Sequence, residues 1–222
     1  MNALWVPALL ISLSATADPV SPPSERDIKG TELIVQSELD ALEAPEGDIA
    51  YQPNETLAAA FPGYLFVLAS FPDVDPSELP EPLKPRNLYA IPPTGEARHL
   101  ATPEDVLALF NEAFQPIKTA EDAKKAGEAA LALEEAKYPE QPFETPEDGL
   151  EAKPDGAGGF EVAGTTQPQA SRRNRPQGSG PISVNFNVDP AGKPARLVTN
   201  NNYVPAPRRT RPVTPQDIAN DQ

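Results

Sequence analysis

The chain has 222 residues, with 18 Lys and Arg against 33 Asp and Glu for a formal net charge of −15, 29 prolines and no cysteine. Such an acid excess disfavours nucleic acid and anionic membrane surfaces as partners. The absence of thiols excludes disulfide stapling, thiolate zinc sites and cysteine nucleophiles.

Leu, Ile, Val and Phe make up only about a fifth of the residues, near the level at which highly charged chains stay unfolded. The apolar residues must therefore gather in a compact part, with the prolines marking what lies outside it. Charge is divided too. Up to Asp155 there are ten basic and twenty-nine acidic residues, and from Gly156 onward eight basic and four acidic.

Residues 1–17 have the layout of a secretory signal peptide, an apolar run over 4–13 followed by Ala15-Thr16-Ala17 as an A-x-A cleavage pattern. The run is shorter than the roughly 18 residues that span a bilayer. The reading is a secreted or periplasmic protein that starts at Asp18 and has no integral membrane segment.

Residues 18–30 are read as a disordered linker, since Pro, Ser and charge dominate its first half. Residues 31–116 are read as an N-terminal α+β region. Within it, Leu33, Ile34, Leu39 and Leu42 predict a short helix over 31–44, and the aromatic-rich run 61–71 predicts a buried strand. Residues 73–85 are proline-dense and read as an extended loop. Residues 87–91 and 97–100 flank Pro92-Pro93-Thr94-Gly95, which predicts a hairpin. Thr102-Pro103-Glu104-Asp105 then opens a helix: Thr caps it, Pro takes the first position and acids face its positive end.

Residues 117–204 are read as a helix on an antiparallel sheet. The helix, 119–137, is capped by Thr119 with Asp122, and its stripe of Ala123, Ala126, Gly127 and Ala130 allows close packing on strands. Glu121 with Lys125, and Glu134 with Tyr138, are placed on its outer surface. Strands are expected at 147–153, 159–166, 181–188 and 194–204, the third showing clean alternation of Ile182, Val184, Phe186 and Val188. Residues 167–180 form a long polar loop, and 205–222 a disordered basic tail. The fold class is α+β, a helix on a four-stranded antiparallel meander, preceded by a small strand, hairpin and helix unit.

Catalytic residue types are scarce. The one histidine, His99, adjoins the hairpin and is the alternative site, as a base working with carboxylates in the cleft between hairpin and following helix. The acidic pairs at Asp73 and Asp75, Glu104 and Asp105, Glu121 and Asp122, and Glu147 and Asp148 sit mostly at helix starts or turns, which explains them without a substrate. No metal-ligand spacing and no phosphate-cradling glycine loop occurs, so neither metal nor cofactor is expected. Arg172, Arg173 and Arg175, in the polar loop, are the candidate partner-binding residues, because arginine suits carboxylate and phosphate forks.

A helix followed by an antiparallel meander over residues 119–204 resembles the cystatin-like and PepSY-like exported domains. Phe160-Glu161-Val162-Ala163-Gly164 matches the cystatin Q-x-V-x-G pattern at Val162 and Gly164. That resemblance implies architecture first, and a protease inhibitor as one function. The leading expectation is an exported, non-catalytic binding or structural module whose partner is a protein or an anionic envelope component. The alternatives are a carboxylate and His99 hydrolase and a cystatin-like inhibitor.

Overall fold

The computed structural model describes residues 23–169 and 178–206. The predicted signal, the Arg172 to Arg175 cluster and most of the basic tail lie outside the described residues.

The chain enters through α1, Glu25–Ala41, capped by a reciprocal box in which Ser24 accepts from the Asp27 N–H and the Asp27 carboxylate reaches back. This corrects the linker read over residues 18–30, since its last six residues are helical. The box satisfies two N–H groups at the helix start, which composition alone does not weigh. The chain then forms β1 (Asp48–Tyr51), the short α2 (Glu55–Ala60) and β2 (Leu65–Ser70). A single 3₁₀ turn at Pro76–Glu78 interrupts the proline-dense connection before β3 (Arg86–Ile91) and β4 (Arg98–His99). These four strands form one antiparallel sheet in sequence order.

The expected strand over 61–71 is thus shorter, because Phe61 ends α2 and buries its ring in the core. The β1 strand and α2 were not foreseen. Alternation sends the residues of this sheet to two places. Val67, Ala69, Tyr89 and Ile91 meet Val35 and Leu39 of α1, while Phe66, Leu88 and Ala90 enter the main core.

Helix α3, Pro103–Ala113, and helix α4, Ala120–Glu135, start at Thr102 and Thr119, each closed by a capping box with Asp105 or Asp122. The second sheet follows. It contains β5 (Phe143–Glu144), β6 (Leu150–Pro154), β7 (Phe160–Pro168), β9 (Ile182–Val188) and β10 (Pro194–Asn201). Strands β6, β7, β9 and β10 form an antiparallel meander, and β5 pairs with the far end of β7. A separate small ribbon pairs β8 (Gly178–Ser179) with β11 (Val204–Pro205). Pro205, read as the start of a disordered tail, is therefore paired.

Val162, Val184, Phe186, Val188 and Leu197 of the meander share one core with α3, α4 and the first sheet. Gly127 of α4 lies so close that a Cβ there would sit 2.5 Å from Leu150 Cδ1 and 3.0 Å from Val162 Cγ1. Helix α4 is also more central than a one-sided stripe implies: residues Ala129, Ala130, Leu131, Ala132, Leu133 and Glu134 are buried in succession. Glu134 is accordingly not on the outer surface as expected.

Candidate functional site

His99 of β4 stands opposite Tyr89 of β3, the rings stacked with centroids 4.7 Å apart and planes 17° apart. Its Nε2 is 3.1 Å from Asn87 Oδ1, and the Asn87 amide is oriented by the backbone of Lys84. The Lys84 N–H donates to Asn87 Oδ1 at 2.9 Å, and Asn87 Nδ2 donates to the Lys84 carbonyl at 2.5 Å. An amide oxygen has no hydrogen to give, so Nε2 carries the proton of the neutral ring. Burial is the main cause that pushes the imidazole down to about 4; the Lys137 and Lys84 cations act in the same direction, and Asp105 opposes them. A ring so held is a weak base, and no carboxylate is hydrogen-bonded to it among the described residues.

The acidic pairs are placed in structural roles. Asp75 caps the 3₁₀ turn through Ser77, Asp105 and Asp122 close the capping boxes of α3 and α4, and Glu147 and Asp148 lie in the turn before β6. Hydrogen bonds from Ser77 and Thr119 hold the Asp75 and Asp122 carboxyls below their ordinary range. Among the described residues, no group of three or more His, Asp or Glu is placed to hold a metal ion. None of the described helices is long and apolar enough to cross a membrane.

What the fold does assemble was not foreseen from the sequence. The segment before β3, the start of α3, the end of α4 and the ends of β10 and β11 enclose a groove of about 460 Å³. Lys84, Arg86 and Lys137 line it together with Glu134, in a chain whose net charge is −15.

Arg86 closes on the end of α4. Its Nη1 donates to the Lys137 carbonyl at 2.6 Å and to Glu140 at 3.0 Å, Nη2 completes a fork with the Glu140 carboxylate, and the guanidinium sits 4.9 Å from the Tyr138 ring centroid. Lys137 Nζ is 2.8 Å from the buried Glu134 carboxylate. Asn201 Nδ2 donates to Glu134 at 3.4 Å and to the Tyr138 hydroxyl at 3.1 Å. Tyr138 is wedged edge-on against Tyr203, centroids 4.6 Å apart, and burial raises its hydroxyl above the ordinary range. Lys84 differs from its two neighbours. Its Nζ makes one 3.3 Å bond, to the Ala101 carbonyl, and among the described residues no carboxylate lies within ion-pair distance.

A second groove of about 550 Å³ runs between α2 and α4, lined by Ala59, Ala60 and Phe114 and rimmed by Glu55, Asp122 and Glu128, with Lys125 as its one cation among the described residues. Its acids repeat the charge of the chain as a whole. The cationic groove is the one that departs from it.

The arginine cluster at 172–175 lies outside the described residues, but its anchors are placed. Gln169 N–H donates to the Pro142 carbonyl, next to Gln141, whose N–H donates to the Tyr138 carbonyl; Gly178 pairs with Pro205. Of the two anchors, Gly178 pairs with a residue that lines the cationic groove, Pro205. The Val162 and Gly164 pair that matched the cystatin pattern lies mid-strand in β7, Val162 buried and Gly164 facing Leu131, Leu150 and Val184, not in a loop. Comparison of the chain with protein-family models, with curated proteins and with solved structures finds no match in any of the three.

Proposed function

We propose that the chain is exported and acts outside the cytoplasm as a non-catalytic binding module, engaging an anionic partner through its cationic end. One observation carries the reading: Lys84, Arg86 and Lys137 converge on a single groove in a chain of net charge −15. Local positive potential in an acidic molecule steers an anionic partner to one face and orients it on arrival. Arg172, Arg173 and Arg175, outside the described residues, are assigned to the same partner by their chemistry, since arginine suits carboxylate and phosphate forks.

The state of His99 supports the non-catalytic half of the reading. Its Nε2 proton is engaged by Asn87 and its basicity is low, so it suits support of the Lys84 backbone better than proton transfer. Among the described residues, the hydrolase alternative lacks a nucleophile or carboxylate bonded to that ring. A cystatin-like inhibitor lacks an exposed loop at the matching residues.

The test is capture from the extracytoplasmic fraction, wild type against a variant with Arg172, Arg173 and Arg175 all changed to Ser. The variant is expected to lose its partner, and undiminished capture would sink the proposal. Mass spectrometry of the purified protein is expected to show an N-terminus at Asp18; a chain beginning at Met1 would remove the export half.

A further inference from the structure

The three cations of the groove are not equivalent. The Arg86 fork is filled by Glu140 and the Lys137 ammonium by Glu134, while among the described residues Lys84 keeps its ammonium for a single carbonyl contact. The backbone beneath Lys84 is fixed at both its N–H and its carbonyl by the buried Asn87 amide, which His99 holds from behind. An ammonium with donors to spare therefore stands on a rigid support at the groove's edge. The same groove is also lined by the apolar Leu100, Val106 and Pro205.

This combination selects a ligand with one charged group and an aliphatic body. A phosphate dianion draws several donors or an open arginine fork, and the fork here is already taken. A carboxylate is satisfied by one ammonium and a neighbouring hydroxyl, and Thr199 lines the same groove. The volume of about 460 Å³ falls in the range of sites that enclose ligands larger than a simple diacid.

We propose that the groove is a carboxylate site for an acidic peptide, Lys84 receiving a side-chain carboxylate and Leu100, Val106 and Pro205 taking the aliphatic carbons. The proposal rests on the reading of an anionic partner and assigns the chemistry of its contact. His99 and Asn87 are positioning residues for Lys84.

The experiment is a titration of the ¹⁵N-labelled full chain with an acetylated, amidated tetrapeptide of alternating Glu and Leu. The expected result is amide shifts centred on Lys84, Thr102, Lys137 and Asn201, with affinity reduced about tenfold or more by Lys84→Gln, the effect of losing one charge-assisted hydrogen bond. Lys84 is exposed, so this variant should keep the wild-type melting temperature. Equal shifts from the Gln and Leu peptide, equal affinity for succinate or inorganic phosphate, or unchanged binding by Lys84→Gln each overturns the proposal. Partner capture that survives in a chain without a Lys84-dependent site sinks only the carboxylate assignment, whereas peptide binding without any arginine-dependent capture sinks only the broader reading.

Discussion

Replacing Asn87 by Ala removes the piece that joins the hairpin, the segment before β3 and the only histidine. Asn87 is 2% exposed and makes three hydrogen bonds, two to the backbone of Lys84 and one to His99. Its loss leaves the Lys84 N–H, the Lys84 carbonyl and the His99 Nε2–H without their partner. An orphaned buried polar group costs about 1–3 kcal/mol, but the Lys84 side of the network lies near solvent, where water can replace part of what is lost. The expected destabilisation is therefore about 2–3 kcal/mol, a lowering of the melting temperature by about 4–12 °C for a chain of this size. Thermal unfolding followed by circular dichroism measures it, with Lys84→Gln as the control that removes the charge and leaves the network. A drop below about 2 °C would mean that Asn87 does not hold this corner together, and the positioning of Lys84 would lose its support.

Further expectations follow from the same geometry. Because burial lowers the folded pKa of His99 to about 4 from an unfolded 6.5, the folded state binds fewer protons between those values, and this contribution to stability is present above pH 6.5 and lost as pH falls toward 4. Discounted for the ring's partial exposure, it amounts to about 1–2 kcal/mol; urea unfolding of wild type should show a steeper acid loss than His99→Gln, and parallel curves would refute it. Asn87→Asp sets a carboxylate 3.1 Å from the ring and should raise the His99 midpoint, read by proton NMR, by about 1–3 pH units; an unmoved midpoint counts against the contact. Gly127→Val pushes a side chain into Leu150 and Val162 and should cost about 1–3 kcal/mol in chemical denaturation, whereas a neutral outcome would place α4 farther from the sheet. Glu134→Gln releases the Lys137 ammonium and should tighten binding of the acidic peptide several-fold; weaker binding would show that the pair itself shapes the groove.

Local signals carried much of the fold. Thr102 with Asp105, and Thr119 with Asp122, announce helix starts through side chains that satisfy their own first turns, and α3 and α4 begin there. Ser24 with Asp27 is the same device, and the start of α1 was readable from it, but the surrounding Pro, Ser and charge outweighed it. The alternation from Ile182 to Val188 reads directly as β9, since one face of that strand meets the core. Strands β1 and β5 escaped because each is four residues or fewer and depends on pairing with a distant partner. Helix α4 reads as one-sided because its alanines are too small to reveal a second buried face, which α2 helps to cover.

The groove was less legible than the fold. Arg86 and Lys137 are 51 positions apart, and they meet only because β3 begins where α4 ends. No spacing rule joins such residues, and single lysines in an acidic chain resemble ordinary surface charge. His99 stands out as the sole histidine, yet its structural use depends on Asn87, which the fold places between the His99 ring and the Lys84 backbone.

The central claim is that an anionic partner is held at this cationic end. The most direct measurement is the affinity of the purified chain for its captured partner at low and high salt, wild type against Lys84→Glu. Affinity should fall with salt in the wild type, since it rests on unlike charges, and should fall by at least about tenfold in Lys84→Glu at low salt. Affinity that is independent of salt and equal in both proteins would contradict it.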